Sequence, residues 1–180
     1  MEVSLPEPIE DGLPTPEVGP WAEDKYRIVS MYSGMFATGM KKKWHARVYI
    51  DLYSGAGQVR VKSTPRLLFG SPLLALQVRD PFDKYVFCEE DPTLLKALEA
   101  RSKRIAPQAA TSFIPGSCDE RVKDIVAAIP LPSKNQTVLS LCFVDPFHLG
   151  LHFQTLETLA ARFTDFLVLL CFVYGCEQEL

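Results

Sequence analysis

Two apolar runs, residues 138–144 and 166–173, constrain the fold of this 180-residue chain more than any other feature. A strand with one solvated face alternates apolar and polar side chains. A run that stays apolar belongs to a strand covered on both sides, as in a parallel sheet held between two layers of helices. Neither run spans a bilayer: even the longest apolar stretch, 166–174, is far shorter than a transmembrane helix requires.

The rest of the chain is organised to deliver such a sheet. Apolar residues at helical spacing between Trp21 and Met40 (Ile28, Val29, Tyr32, Met35, Phe36) predict a helix. The basic run Lys41-Lys42-Lys43 at its end complements the helix dipole. A strand is expected over 46–53, followed by a loop carrying Arg60, Lys62 and Arg66. Gly70-Ser71-Pro72 opens a second helix, with Ser71 as N-cap and Pro72 as first helical residue. Strands over 84–88, 109–114, 137–144 and 166–173 then alternate with helices over 91–105, 119–129 and 153–162. This alternation implies parallel pairing, right-handed crossovers and an α/β, Rossmann-like three-layer sandwich.

A single domain is expected over 21–180, long enough to bury a real core. Residues 1–20 read differently: they hold five acids, five prolines and no base. With few large apolar side chains they cannot offset the entropy of ordering, so a disordered acidic arm is expected. The arm has neither the basic nor the apolar region of a signal peptide. The remaining residues carry a charge near +2, compatible with a polyanionic partner. Cys88, Cys118, Cys142, Cys171 and Cys176 are odd in number and include no CxxC pair. That argues against a disulfide framework or zinc site and for a reducing, cytoplasmic setting.

In a parallel sheet of this kind, ligands bind at the carboxyl ends of the strands. Four predicted strand ends carry informative residues. The first is Tyr49-Ile50-Asp51-Leu52-Tyr53-Ser54-Gly55-Ala56-Gly57, a strand running into a small-residue turn where backbone can approach a ligand closely. The second is Glu89-Glu90-Asp91, in which Glu89 is positioned to accept hydrogen bonds from a ribose diol, or simply to favour the helix that follows. The third is Gly116-Ser117-Cys118-Asp119, an adenine contact or a helix cap. The fourth is Asp145-Pro146-Phe147-His148, an acid held by a proline with an aromatic beside it, suited to an amine or base and equally to a strand-ending turn.

Several classes are disfavoured. Arg60 stands where a dinucleotide fingerprint has its third glycine. There is no P-loop, and His148 and His152 lack the acid of a zinc-protease motif, so no metal ligands are assigned.

The spacing of the four ends is similar to that of S-adenosylmethionine (SAM)-dependent methyltransferases. More closely, the chain resembles the three-Cys-motif partner (TcmP) family. The resemblance rests on Trp21 with Lys25, Tyr49-Ile50-Asp51 with Gly55-Ala56-Gly57, Gly70-Ser71-Pro72-Leu73, Glu89 with Asp91, and Phe143-Val144-Asp145-Pro146-Phe147, and runs from Trp21 to about Tyr174. A more distant similarity is to the adenine-N6 methyltransferases of 23S ribosomal RNA. The resemblance implies SAM as cofactor, with Asp51, Ser54, Gly55 and Gly57 at its methionine end, Glu89 at its ribose, and Ser117 or Asp119 near its adenine. It makes Asp145, Pro146 and Phe147 the catalytic face, and a protein bearing a three-cysteine motif the partner.

Two features depart from that pattern. Adenine-N6 enzymes carry Asp-Pro-Pro-Tyr, whereas Phe147 and His148 occupy the last two positions here. A methyltransferase sheet also normally has two strands after the fifth, so the domain is expected to lack them and to offer an uncovered edge for association. Lys41, Lys42, Lys43, Trp44 and Arg60 could contact phosphates and stack on bases of a nucleic acid. A solvated basic helix end explains the same residues. Two functions therefore stay open: methyl transfer to a base or other amine, and a catalytically silent SAM-fold subunit.

Overall fold

The computed structural model describes residues 7–62, 64, 66–146 and 150–169. In chain order its elements are β1 (Glu17–Val18), α1 (Ala22–Met40), β2 (Ala46–Asp51), β3 (Gln58–Val61), β4 (Leu67–Phe69), α2 (Ser71–Ala75), β5 (Lys84–Glu89), α3 (Pro92–Ile105), β6 (Thr111–Pro115), α4 (Cys118–Ala128), β7 (Val138–Val144), α5 (Phe153–Ala160) and β8 (Thr164–Val168).

Five strands form one parallel sheet in the order β6-β5-β2-β7-β8. This is the Rossmann-like order, in which the chain starts in the middle, builds to one side and then crosses to the other. Period-two alternation along each strand feeds two cores. Tyr49, Tyr85, Phe87, Leu141 and Phe143 pack with Val29, Phe36, Leu73 and Leu98 of α1, α2 and α3. Val48, Ile50, Val86, Cys142 and Val144 pack with Ile125 and Leu159 of α4 and α5. All seven residues of β7 are buried, as a central strand covered on both faces requires.

A second, three-stranded sheet has the order β1-β3-β4. Its β3–β4 hairpin occupies the stretch expected to be a loop, because Val59 and Val61 turn inward while Arg60 faces out. The expected disorder of the acidic arm is also corrected for residues 9–18. Residues 9–18 are fastened to the domain: Gln58 Nε2 donates to Ile9 O at 2.9 Å, and the N–H groups of Arg60 and Lys62 donate to Pro16 O and Val18 O. The composition argument counts only apolar burial, and this segment is held by backbone and charged hydrogen bonds instead. In α2 the N-cap is Gly70, one residue before the expected Ser71. The strand expected to reach 173 is described to Val168, as the sheet-edge strand β8; Cys171 and Cys176 lie outside the described residues.

Candidate functional site

The carboxyl ends of β2, β5, β6 and β7 open onto one cavity of about 520 Å³. That is within the range of small-molecule and cofactor sites. Gly55, Gly57, Glu89, Ser117, Asp119, Asp145 and Pro146 all line it, so four strand ends separated in sequence meet around one space. Phe147 and His148 lie outside the described residues.

The glycine bend forms the base of the site. Gly55 and Gly57 both have positive φ, +57° and +76°. Beside Gly55 the space is open, and a Cβ there would meet no protein atom within 4 Å. Gly57 is a packing glycine: a Cβ would fall 2.7 Å from Leu98 Cδ1 and 2.9 Å from Leu73 Cγ. Glu89 braces the bend from the next strand. Its Oε2 accepts from Gly55 N–H at 2.7 Å and its Oε1 from Asp91 N–H at 3.0 Å. A carboxylate offers about four lone-pair positions, so two remain for a ligand. Ser54 ties the bend to β5 as well, its hydroxyl donating to Cys88 O at 3.0 Å.

Asp51 stands behind this wall. It is fully buried and does not line the cavity, which moves it from the contact set to the supporting set. Tyr49 Oη and the Tyr53 N–H each donate to it at 3.3 Å. Burial pushes its carboxyl up to about 7, opposed in part by the hydrogen bonds from Ser71 and Tyr53 N–H.

At the end of β7, Asp145 is already paired. Lys25 Nζ on α1 lies 2.7 Å from Asp145 Oδ2 and 4.7 Å from the ring centres of both Trp21 and Tyr26. An ammonium over two aromatic faces and against a carboxylate is held from three sides. Trp21, Lys25 and Tyr26 all line the cavity. Trp21 and Lys25 enter the family resemblance without a role, and Tyr26 is not singled out; the signal was their place in the first turn of a helix leading to the sheet's carboxyl edge.

Ser117 is the N-cap residue of α4 without a side-chain cap bond, so its hydroxyl is not committed there. Asp119 does not cap α4 as expected. Its carboxylate receives the His152 N–H and the Thr155 hydroxyl, fastening the start of α5. Lys41, Lys42, Lys43 and Trp44 are away from the cavity. Lys25 is at the cavity end of α1, and sixteen residues of helix carry Lys41 about 24 Å further along. Lys41 pairs with Asp80, and Trp44 packs on Phe163 with ring centres 6.0 Å apart. Arg60 is paired with Glu10 at 2.7 Å. Among the described residues no group of three or more His, Cys, Asp or Glu could hold a metal ion. No described helix is long and apolar enough to cross a membrane.

Fold and cavity together define a Rossmann-like α/β protein with a cavity at the carboxyl ends of its parallel strands, where ligands bind in sheets of this kind. No family model matches the chain, and no curated protein matches it either. Among solved structures it is similar to protein LPL1258 from Legionella pneumophila str. Philadelphia 1, family-model DUF519, with a TM-score of 0.54 and 15% identity. The match covers 78% of this chain and 66% of that one, just under two thirds of its length. At that identity the likeness speaks for the fold alone.

Proposed function

We propose that this chain binds SAM in the cavity and is a methyltransferase-like protein whose acceptor is an amine, with a nucleic-acid base as the class favoured by the sequence motifs. The observation that carries the reading is Glu89: a carboxylate at the end of the second strand of the sheet, bonded to Gly55 N–H and retaining lone pairs toward the cavity. A ribose diol presents two donors to such an acid. The open space beside Gly55 admits a close backbone approach, and the Ser117 hydroxyl, which makes no cap bond to α4, suits an adenine edge. When bound, the cofactor supplies an activated methyl group. The chain's own part is to orient the acceptor: Asp145 accepts its N–H bonds while Lys25, 2.7 Å away, holds that carboxylate in place. A base acceptor would have to be single-stranded or flipped to reach so enclosed a site.

A second reading is favoured by one feature. Asp145 is already engaged by Lys25, which suits a silent SAM-fold subunit of a three-Cys-motif protein. Calorimetry with S-adenosylhomocysteine tests the shared premise. Micromolar binding, weakened more by Glu89→Ala than by Glu90→Ala, is the expected result; no heat at saturating ligand would remove the cofactor. Methyl transfer to RNA, DNA or co-expressed protein, lost in Asp145→Ala, separates the enzyme from the silent subunit.

A further inference from the structure

Among the described residues Arg101 is one of the largest fully buried side chains, and it is charged. It sits on α3, in register with Leu98 and Ile105 on the face turned to the core. Every part of its guanidinium is used. Nε and Nη2 grip the two oxygens of Asp11 at 2.9 and 2.7 Å. Nη1 donates to Pro14 O at 2.9 Å and to Ala56 O at 2.8 Å, and Nη2 reaches Thr15 Oγ1 at 3.0 Å. Ala56 is the middle residue of the glycine bend. One buried cation therefore binds residues 11–15 to the loop that forms the base of the cavity. The segment then runs on into the cavity wall, where Pro16 and Val18 are lining residues.

A buried guanidinium whose one close carboxylate partner among the described residues is Asp11, with Arg104 also reaching that acid, is costly unless it achieves something. Nothing in the two hydrophobic cores needs residues 9–18. The cavity does, because without them it loses the wall formed by Pro16 and Val18. We infer that residues 9–18 are part of the ligand site, and that Arg101 is the positioning residue that locks them to the Gly55–Gly57 bend. Arg101 touches no ligand; it acts by fixing Ala56 and the segment relative to each other, so ligand affinity and segment order are coupled.

The inference rests on the cofactor reading for its probe, S-adenosylhomocysteine. The full chain and its Asp11→Asn, Asp11→Glu and Thr15→Val variants are titrated by calorimetry, with Asp124→Asn as an exposed ion-pair control. Amide exchange at Arg60 and Lys62, whose N–H groups donate to Pro16 O and Val18 O, is followed with and without ligand. Asp11→Asn is expected to weaken binding about tenfold, with Asp11→Glu recovering most of it. The two amides are expected to exchange more slowly at saturation. If Asp11→Asn does not fold, Thr15→Val and the wild-type exchange decide the matter. Binding by the wild-type chain with unchanged affinity in the folded variants, or with no slowing at Arg60 and Lys62, overturns this inference and leaves the cofactor reading intact. No binding by the wild-type chain overturns both.

Discussion

Lys25 Nζ lies 2.7 Å from Asp145 Oδ2, although 120 residues separate the two in sequence. The pair joins the first turns of α1 to the end of β7 across the cavity, and both side chains are less than one fifth exposed. Removing the cation leaves a shielded carboxylate without its strongest partner. Lys25→Met should therefore cost about 1–3 kcal/mol of stability, with Lys25→Arg retaining most of it. Urea unfolding measures both; a Lys25→Met midpoint equal to that of the native chain would show that the ion pair is not formed in solution.

The two glycines of the bend should respond differently to a methyl group. Gly55→Ala adds only the strain of a positive φ, about 1 kcal/mol, because its surroundings are open. Gly57→Ala adds the same strain and also drives a Cβ against Leu98 and Leu73. Gly57→Ala should thus be the more destabilising by at least about 1 kcal/mol. In ligand titrations of folded protein the order should reverse, since Gly55 faces open space where a ligand would approach. Equal melting temperatures for the two variants would contradict the packing role given to Gly57.

The parallel sheet was legible because strands covered on both faces leave an unmistakable mark in β7, where a single Ser140 interrupts an apolar run. The strand-end residues followed from topology, which is why Gly55, Glu89, Ser117 and Asp145 could be named before their meeting at one cavity was known. Arg101 escaped because an arginine in a helix is read as solvated; the available clue was its position in step with Leu94, Leu98 and Ile105. The order of residues 9–18 escaped as well, since it comes from that distant cation together with Gln58 and the backbone of β3. The run Lys41–Lys43 was read without regard to helix length, which sets it at the far end of α1 from the cavity.

Acid should release the N-terminal segment before it unfolds the domain. The Arg101 guanidinium bonded to Asp11 holds that carboxyl well below its ordinary value of 3.8. A depressed folded-state value means that the stabilisation is fully present above the unfolded value and is lost as pH falls through the folded one. The anchor should therefore begin to weaken as pH falls below about 4 and be lost only in stronger acid, where residues 9–18 become open to proteolysis, while Asp11→Asn should show that exposure already at pH 7. Protection of the segment that persists equally in both proteins down to pH 2 would rule out Asp11 as the titrating anchor.

Asp51 should act in the opposite direction and at higher pH. Burial raises its carboxyl from 3.8 to about 7, so the folded protein holds a proton that the unfolded chain has released. Its contribution is complete below the unfolded value and disappears as pH climbs through about 7, a loss on the order of a few kcal/mol between about pH 4 and pH 8. Asp51→Asn keeps the shape and removes the ionisation. Its urea midpoint should vary less than that of the native chain across this window, and the two curves should converge toward the acid end. The Asp11 effect is confined to pH values below about 4, so the difference between the curves isolates Asp51. Parallel curves from pH 4.5 to 8 would mean that Asp51 is ionised in the folded protein, and the carboxylate would then have to find a cation or a water-filled opening that its present neighbours, Tyr49 and Tyr53, do not supply.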